Sequence, residues 1–241
     1  MSEDVAYYEA TRQGLVREIA ARNGSENVPL EMRNRAVGRV LDIGCGVGQA
    51  LYPLAVKTGA FGVGVDVSNY SLGIGVQTYK QELPDARVAF VNTQAENLPF
   101  ASETFDVVNF GLALPYTHNP RAIAEVQRVL KPGGLLFLKI HHLRYYLTKL
   151  QQGLLHADVL SVIHCGRVLT NGTIYHMTGR QLMTRILNET FQTRWLLRRQ
   201  LAKSGLVIDH EQPGNPAAPA LVIRKADQNQ SRKIGRSGPK K

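Results

Sequence analysis

Three closely spaced glycines, Gly44, Gly46 and Gly48, are the residues best able to shape a ligand site. They directly follow the aliphatic run 39–43, where a strand must turn into a helix within a few residues. Glycine adopts the backbone angles of such a turn at low cost, and its missing side chain lets a ligand approach the main chain. Amide groups at the start of the next helix attract negative charge or lone pairs. The turn therefore predicts a ligand crevice.

Asp66 adds an acid near the end of the next apolar run, FGVGVDV at 61–67. A carboxylate at the tip of a second strand can accept hydrogen bonds from both hydroxyls of a ribose. A glycine turn or a lone acid is weak by itself, since each occurs in many proteins. Together they favour a nucleoside-containing ligand and leave open whether it is NAD or S-adenosylmethionine.

Alternating elements must position these residues. Strands are predicted at 39–43, 61–67, 87–92, 105–111 and 135–141, with extended stretches at 206–210 and 220–224. Helices are predicted at 4–22 with a stop at Asn23-Gly24, from about Gln49, from the cap Ser68 to about Tyr79, at 120–130 and at 178–204. This alternation predicts a parallel sheet that is covered on both faces.

The stretch 42–48, DIGCGVG, resembles the D-x-G-x-G-x-G motif of class I S-adenosylmethionine-dependent methyltransferases. The pyrophosphate-binding motif G-x-G-x-x-G would instead need a third glycine at Gln49. QAENLPF at 94–100 is similar to the adenine-binding segment of the subgroup that includes the ubiquinone and menaquinone biosynthesis methyltransferases. EVQRVLKPGG at 125–134 resembles the helix and turn that precede the fifth strand of that subgroup. The resemblance spans about 39–140 and is specific for fold and cofactor, not for substrate.

The element order and this resemblance imply an α/β fold. We expect a Rossmann-like, doubly wound, mostly parallel seven-stranded sheet with helices on both faces and a helical insertion after the fifth strand. One methyltransferase domain is expected over 1–225, with an N-terminal helical cap at 1–36 and a helical lid insertion at 143–177. A disordered basic tail is expected at 226–241, because this stretch lacks apolar periodicity.

The resemblance also implies a set of S-adenosylmethionine-binding residues. They are Asp42 for the methionine amino group, Gly44, Gly46 and Gly48 for the amino-acid part and the sulfonium, Asp66 with Val67 for the ribose, Gln94 and Ala95 for adenine, and Asn109 and Gly111 beside the methionine.

Two positions depart from the family pattern. Gln94 stands where many relatives have Asp, and an amide carbonyl accepts from the adenine amino group without charge assistance, which predicts a lower adenine affinity. Pro115-Tyr116 stands where relatives often carry a His pair, so the resemblance implies no catalytic His there.

Methyl transfer from a sulfonium is an in-line displacement, and positioning of the acceptor can lower the barrier by about 7 to 11 kcal/mol. A general base is needed only if the acceptor must lose a proton. The candidate catalytic residues are His141, which ends the predicted fifth strand where the crevice opens, and Tyr116. Further candidates are Tyr7, Tyr8, His118 and His142. For each of them, packing or surface hydration is the alternative interpretation.

The insertion at 143–177 places apolar residues at helical spacing and its Arg and Lys on other faces. A lid packed over the cofactor is one interpretation. The other is a lid that also admits a hydrophobic acceptor and binds an anionic group. Between Lys131 and Lys203 the only acids are Asp158 and Glu189, so this basic region could face a substrate.

Composition argues against several classes of protein. Cys45 and Cys165 give no disulfide framework and no metal-ligand spacing, which indicates buried, reduced thiols and predicts no metal. No signal segment or membrane-length apolar stretch is visible, so a soluble cytoplasmic protein is expected, with peripheral membrane contact left open. The net charge of +10 suggests acidic partners, and the basic tail leaves weak attraction to nucleic acid or acidic lipid open.

These features predict a methyltransferase that acts on a small-molecule acceptor, lipid-like or anionic. One alternative is a tRNA or rRNA methyltransferase, although the sequence shows no RNA-binding module and no N-P-P-Y signature. The other alternative is a non-catalytic S-adenosylmethionine-binding protein. The acceptor atom and the oligomeric state are not predicted.

Overall fold

A computed structural model describes residues 3–21 and 28–226. Its strands are β1 (Arg39–Ile43), β2 (Phe61–Asp66), β3 (Val88–Asn92), β4 (Phe105–Gly111), β5 (Leu130–Lys139), β6 (Leu206–Gln212) and β7 (Ala220–Lys225). They form one sheet in the order β3-β2-β1-β4-β5-β7-β6. Neighbouring strands from β3 to β5 are parallel, and β7 runs antiparallel to both β5 and β6.

Helices surround this sheet. They are α1 (Glu3–Ala21), α2 (Leu30–Arg33), α3 (Asn69–Glu82), α4 (Asn119–Val129), α5 (Leu143–Leu155), α6 (Val159–Thr178) and α7 (Arg194–Lys203). Successive side chains of β1 point to opposite faces of the sheet, and both faces are covered. Val40 packs with Met32 on one face, whereas Leu41 packs with Ile123 of α4 on the other. The expected fold class is confirmed, including the helical insertion after the fifth strand, which α5 and α6 form.

The helix predicted from about Gln49 is wrong in its start and its type. The chain makes turns up to Ala50, and a short π-helix follows at Tyr52–Val56. Pro53 has no amide hydrogen, so a continuous α-helical ladder cannot form here. The amide of Lys57 instead donates to the carbonyl of Tyr52, five residues earlier.

The helix predicted at 178–204 is wrong over its first half. The helix α6 ends at Thr178, and Gly179 takes the left-handed conformation (φ 70°) that commonly terminates a helix. Regular helix resumes only with α7, whose first turn is capped by the side chain of Thr193. The segment 179–193 folds back as an irregular loop.

Some expectations concern residues that the structure does not describe. Asn23-Gly24 lies outside the described residues, and so does the predicted tail beyond Ala226. Within the described ranges no helix has the length and apolarity needed to cross a bilayer, and no His, Cys, Asp and Glu side chains group as a metal site would require. Cys45 and Cys165 are both buried free thiols.

Candidate functional site

A cavity of about 1240 Å³ opens at the carboxyl ends of β1, β2, β4 and β5. Ligands of open α/β sheets bind at this edge, where the strand order reverses on either side of β1. All but one of the predicted cofactor residues line the cavity, the exception being Gly48. The lining residues from that set are Asp42, Gly44, Gly46, Asp66, Val67, Gln94, Ala95, Asn109 and Gly111.

Gly44 and Gly46 both have positive φ, 70° and 54°. A Cβ on Gly44 would lie only 2.4 Å from the Cβ of Ala113, whereas a Cβ on Gly46 would meet nothing closer than the ring of Tyr8 at 3.7 Å. The first glycine is therefore required both by its conformation and by space. The second is required by its conformation alone.

Gly48 serves packing and does not line the cavity. A Cβ on it would lie 2.8 Å from the ring of Phe90, and its φ is 83°. Its carbonyl accepts a hydrogen bond of 2.7 Å from the buried hydroxyl of Tyr79. The missing side chain makes room for aromatic residues of β3 and α3 beneath the turn.

Asp66 joins the tip of β2 to the glycine turn. Its Oδ2 accepts from the amide of Gly46 at 2.9 Å, and its Oδ1 accepts from the amide of Ser68 at 2.9 Å. A carboxylate offers about four lone-pair sites, so both oxygens can still accept from a ligand hydroxyl. The Ser68 side chain caps α3 by accepting from the amide of Ser71, as predicted for this residue.

Asp42 lies deep in the cavity wall, only 2% exposed. The net pKa of Asp42 is raised to about 7. Burial is the main cause, the 2.7 Å hydrogen bond from the Asn109 side chain opposes it, and the nearby charge of Asp66 adds to it. Among the described residues, Asp42 forms no ion pair. The site thus holds a buried carboxyl that a cationic ligand group would keep ionised.

The segment 94–100 is held against α4 by charged side chains that the sequence analysis did not single out. Glu125 accepts from the amide of Leu98 at 2.7 Å and pairs with Arg128 at 2.8 Å. Arg128 in turn donates to the carbonyl of Leu98 at 2.9 Å. These contacts position Gln94 and its neighbours at the cavity rim. The stretch EVQRV at 125–129, which resembles the family's helix before the fifth strand, was the signal that could have pointed to Glu125 and Arg128.

Residues 41–138 match the family model described as "Methyltransferase domain". The matched segment is less than half of the chain, and it contains β2, β3 and β4. The match confirms the resemblance found in the motifs at 42–48 and 94–100.

Curated relatives agree with this assignment. The chain is 42% identical over 106 residues to the phthiotriol/phenolphthiotriol dimycocerosates methyltransferase of Mycobacterium leprae, covering 41% of this chain and 36% of that protein. It is 32% identical over 105 residues to the ubiquinone/menaquinone biosynthesis C-methyltransferase UbiE of Rhizobium meliloti, covering 42% and 40%. The chain thus spans well under two thirds of the length of these relatives.

A solved SAM-dependent methyltransferase from Methanosarcina mazei has the same fold. Its TM-score is 0.58 at 20% identity, with 83% of this chain and 99% of that chain covered. The fold likeness therefore extends well beyond the matched segment 41–138.

Most candidate catalytic residues surround the same cavity. Tyr7, Tyr8, Tyr116, His118 and His141 line it, while His142 does not. The His142 ring instead caps α5, where its Nδ1 accepts from the amide of Arg144 at 3.3 Å. No residue of α5 or α6 lines the cavity, and only Met183 does so from the segment 143–193. The lid role of the insertion stays a prediction.

Glu189 is a buried acid that contacts Tyr146 and that the sequence reasoning did not place near the candidate catalytic residues. It is 5% exposed, its carboxylate accepts from the hydroxyl of Tyr146, and it lies near enough to Tyr116 to raise the pKa of that phenol. Burial and this carboxylate raise the pKa of both tyrosines far above the usual value, so both remain phenols. The available signal was its position as one of two acids in a long basic stretch.

Proposed function

We propose that the chain is an S-adenosylmethionine-dependent methyltransferase that acts on a small-molecule acceptor, lipid-like or anionic. The observation that carries this proposal is the joint placement of Asp42, Asp66 and the turn 44–46 on one cavity within a methyltransferase domain. The proposal extends the domain over 1–225, with the helix α1 contributing Tyr7 and Tyr8 to the cavity wall.

The residues present fit this cofactor. The buried carboxyl of Asp42, which forms no ion pair among the described residues, suits the ammonium of the methionine part. Asp66 has lone pairs free for the ribose hydroxyls, and the open space above Gly46 allows close approach to the main chain. Gln94 and Ala95 would contact adenine, and Asn109 and Gly111 would lie beside the methionine.

The bound cofactor supplies the electrophilic methyl group and its leaving group. The protein holds the acceptor lone pair in line with the methyl carbon and excludes water, which can contribute roughly 7 to 11 kcal/mol. His141 is the proposed base for an acceptor that loses a proton. Its pKa is lowered by burial and by Lys149 and Lys139, which favours the neutral imidazole near pH 7. Tyr116 is a phenol that orients the acceptor by hydrogen bonding.

The lining of the cavity supports the class of acceptor. Tyr7, Tyr116 and Met183 present exposed apolar surface, and Arg121 and Lys139 add positive charge. Such a lining suits a molecule with an apolar body and an anionic group. Two relatives are named for small molecules, one for phthiotriol and phenolphthiotriol dimycocerosates and one for ubiquinone and menaquinone biosynthesis.

Two measurements test the proposal. Calorimetry should detect S-adenosylhomocysteine binding, and labelled cofactor should transfer its methyl group into the small-molecule fraction of a cell extract. Label that enters the RNA fraction instead, with steeply salt-dependent RNA binding, would favour an RNA methyltransferase. Binding without transfer to any fraction would favour a non-catalytic protein, and absence of binding would reject the cofactor site.

A further inference from the structure

The two candidate catalytic residues converge on one buried carboxylate. Glu189 accepts from the hydroxyl of Tyr146 and raises the pKa of the nearby Tyr116, and its Oε2 lies 3.3 Å from Nε2 of His164. Tyr146 is fully buried, and its hydroxyl oxygen also lies 3.4 Å from Nδ1 of His141. A chain of polar contacts therefore leads from the cavity wall at His141 to Glu189.

The backbone around Glu189 is held from two sides. The side chain of Asn171 in α6 donates to the carbonyl of Glu189 at 3.0 Å. The amide of Thr190 donates to the carbonyl of Pro115 at 3.0 Å. The backbone that carries the Glu189 side chain is thus held both by α6 and by the segment that contains Pro115.

Counting protons assigns the direction of each contact. A phenol has one proton, and a carboxylate can only accept, so the Tyr146 proton is committed to Glu189. Towards His141 the phenol oxygen can then only accept. The hydrogen on the imidazole must therefore sit on Nδ1, and Nε2 must carry the lone pair. Within the described part of the chain, no hydrogen bond engages this Nε2.

The surroundings of His141 favour this neutral form. Its ring stacks on Tyr145 with centroids 4.2 Å apart and lines the cavity. The charged groups that face it are Lys139 at the end of β5, Lys149 on α5, and Glu189 beyond Tyr146. The titratable tyrosines against it are Tyr145 and Tyr146, with Tyr116 on the far side of Glu189.

We propose that Glu189 and Tyr146 are positioning residues that fix His141 as the Nδ1–H tautomer, so that Nε2 acts as the general base of the reaction. This inference rests on the proposed methyltransferase function. The O–H or N–H bond of the acceptor breaks, its proton goes to Nε2, and the freed electron pair forms the bond to the methyl carbon. The sulfonium sulfur takes the electron pair of the broken S–C bond. The imidazolium that forms donates from Nδ1 to Tyr146, next to the negative charge of Glu189.

Nitrogen NMR of the protein labelled with ¹⁵N-histidine tests the tautomer without any activity. We expect His141, identified by its missing signals in His141→Gln, to carry its neutral proton on Nδ1 in the wild type. Tyr146→Phe should shift the proton to Nε2, and Glu189→Gln should give a mixture because the hydroxyl is free to turn. Tyr145→Phe is the matched control, since it keeps the stacked ring, and should leave the tautomer unchanged.

Two results would overturn the inference: a wild-type His141 protonated on Nε2, or a tautomer that Tyr146→Phe leaves unchanged. If Tyr146→Phe does not fold, the wild-type spectrum and Glu189→Gln decide. With an acceptor identified, Tyr146→Phe should lower kcat by up to about 100-fold to 10,000-fold, because the other tautomer leaves no lone pair on Nε2 to act as the base, while S-adenosylhomocysteine affinity stays the same. Absence of cofactor binding in the wild type would reject the proposed function, and the tautomer measured by NMR would still hold.

Discussion

The Oδ2 of Asp66 accepts a hydrogen bond from the amide of Gly46 at 2.9 Å, so the acid at the tip of β2 is attached to the turn that follows β1. This contact gives Asp66 two functions, since it shapes the turn and also presents lone pairs to the cavity. Removing the carboxylate therefore affects both the ligand and the turn that faces it.

Asp66→Ala should weaken S-adenosylhomocysteine binding about 10-fold to 100-fold, because hydrogen bonds to a charged group contribute about 1.5 to 3 kcal/mol. Asp66→Asn should lose less, since one acceptor oxygen remains. Calorimetry gives both affinities. Asp209→Asn, a change at an exposed carboxylate paired with Arg224 away from the cavity, is the control. An unchanged affinity in folded Asp66→Ala would remove Asp66 from the cofactor site.

Gly44→Ala and Gly46→Ala should separate the cost of a steric clash from the cost of a positive φ. Both positions have positive φ, which costs a residue with a Cβ about 1 to 2 kcal/mol of stability. Only at Gly44 does the new methyl group also clash with Ala113, which adds about 1 to 3 kcal/mol. Urea denaturation should therefore show Gly44→Ala to be the less stable variant.

The companion change Ala113→Gly tests the source of that difference. In Gly44→Ala/Ala113→Gly the clash is gone, so stability should recover towards that of Gly46→Ala. If the double variant is no more stable than Gly44→Ala, the contact with Ala113 is not what excludes a side chain at position 44.

Cofactor affinity should rise with pH around neutrality because of Asp42. Burial holds its pKa at about 7 in the ligand-free protein, and only the ionised carboxylate can pair with the ammonium of the methionine part. Between pH 6 and pH 8 the ionised fraction rises from about one tenth to about nine tenths, so affinity should rise about tenfold. Calorimetry in matched buffers measures this rise, and a flat profile in the wild type would contradict it.

Asp42→Asn is the control, and it should bind weakly with little pH dependence over this range. Stability of the ligand-free protein gives a second measurement with the opposite trend. Because the folded pKa lies above the unfolded value, the folded state holds the extra proton, and stability falls as pH rises from about 4 through about 7. Asp42→Asn should lack this contribution to the decline.

Residues of the cavity were predictable where local spacing and sheet geometry sufficed. Gly44 directly follows β1 and Asp66 ends β2, and the carboxyl ends of these parallel strands meet at one edge of the sheet. Gly48 was assigned to the ligand because it completes the motif at 42–48, whereas its packing depends on Phe90, whose approach from β3 no local pattern reveals. Glu189 was missed for a similar reason, since its contact with Tyr146 requires the loop 179–193 to fold back onto α5.

That loop depends on the buried side chain of Asn171, which explains why a helical pattern failed there. Asn171 donates to the carbonyls of Leu182 and Glu189, both at 3.0 Å, and accepts from the amide of Leu182 at 3.2 Å.

Asn171→Ala leaves these backbone groups unsatisfied and should reduce the free energy of unfolding by about 1 to 3 kcal/mol. Thr170→Ala is the neighbouring control, because its exposed hydroxyl bonds only to a carbonyl of its own helix. Equal unfolding midpoints for the two variants in urea would show that Asn171 does not hold the loop. A selective loss would show that the position of Glu189 is set from α6.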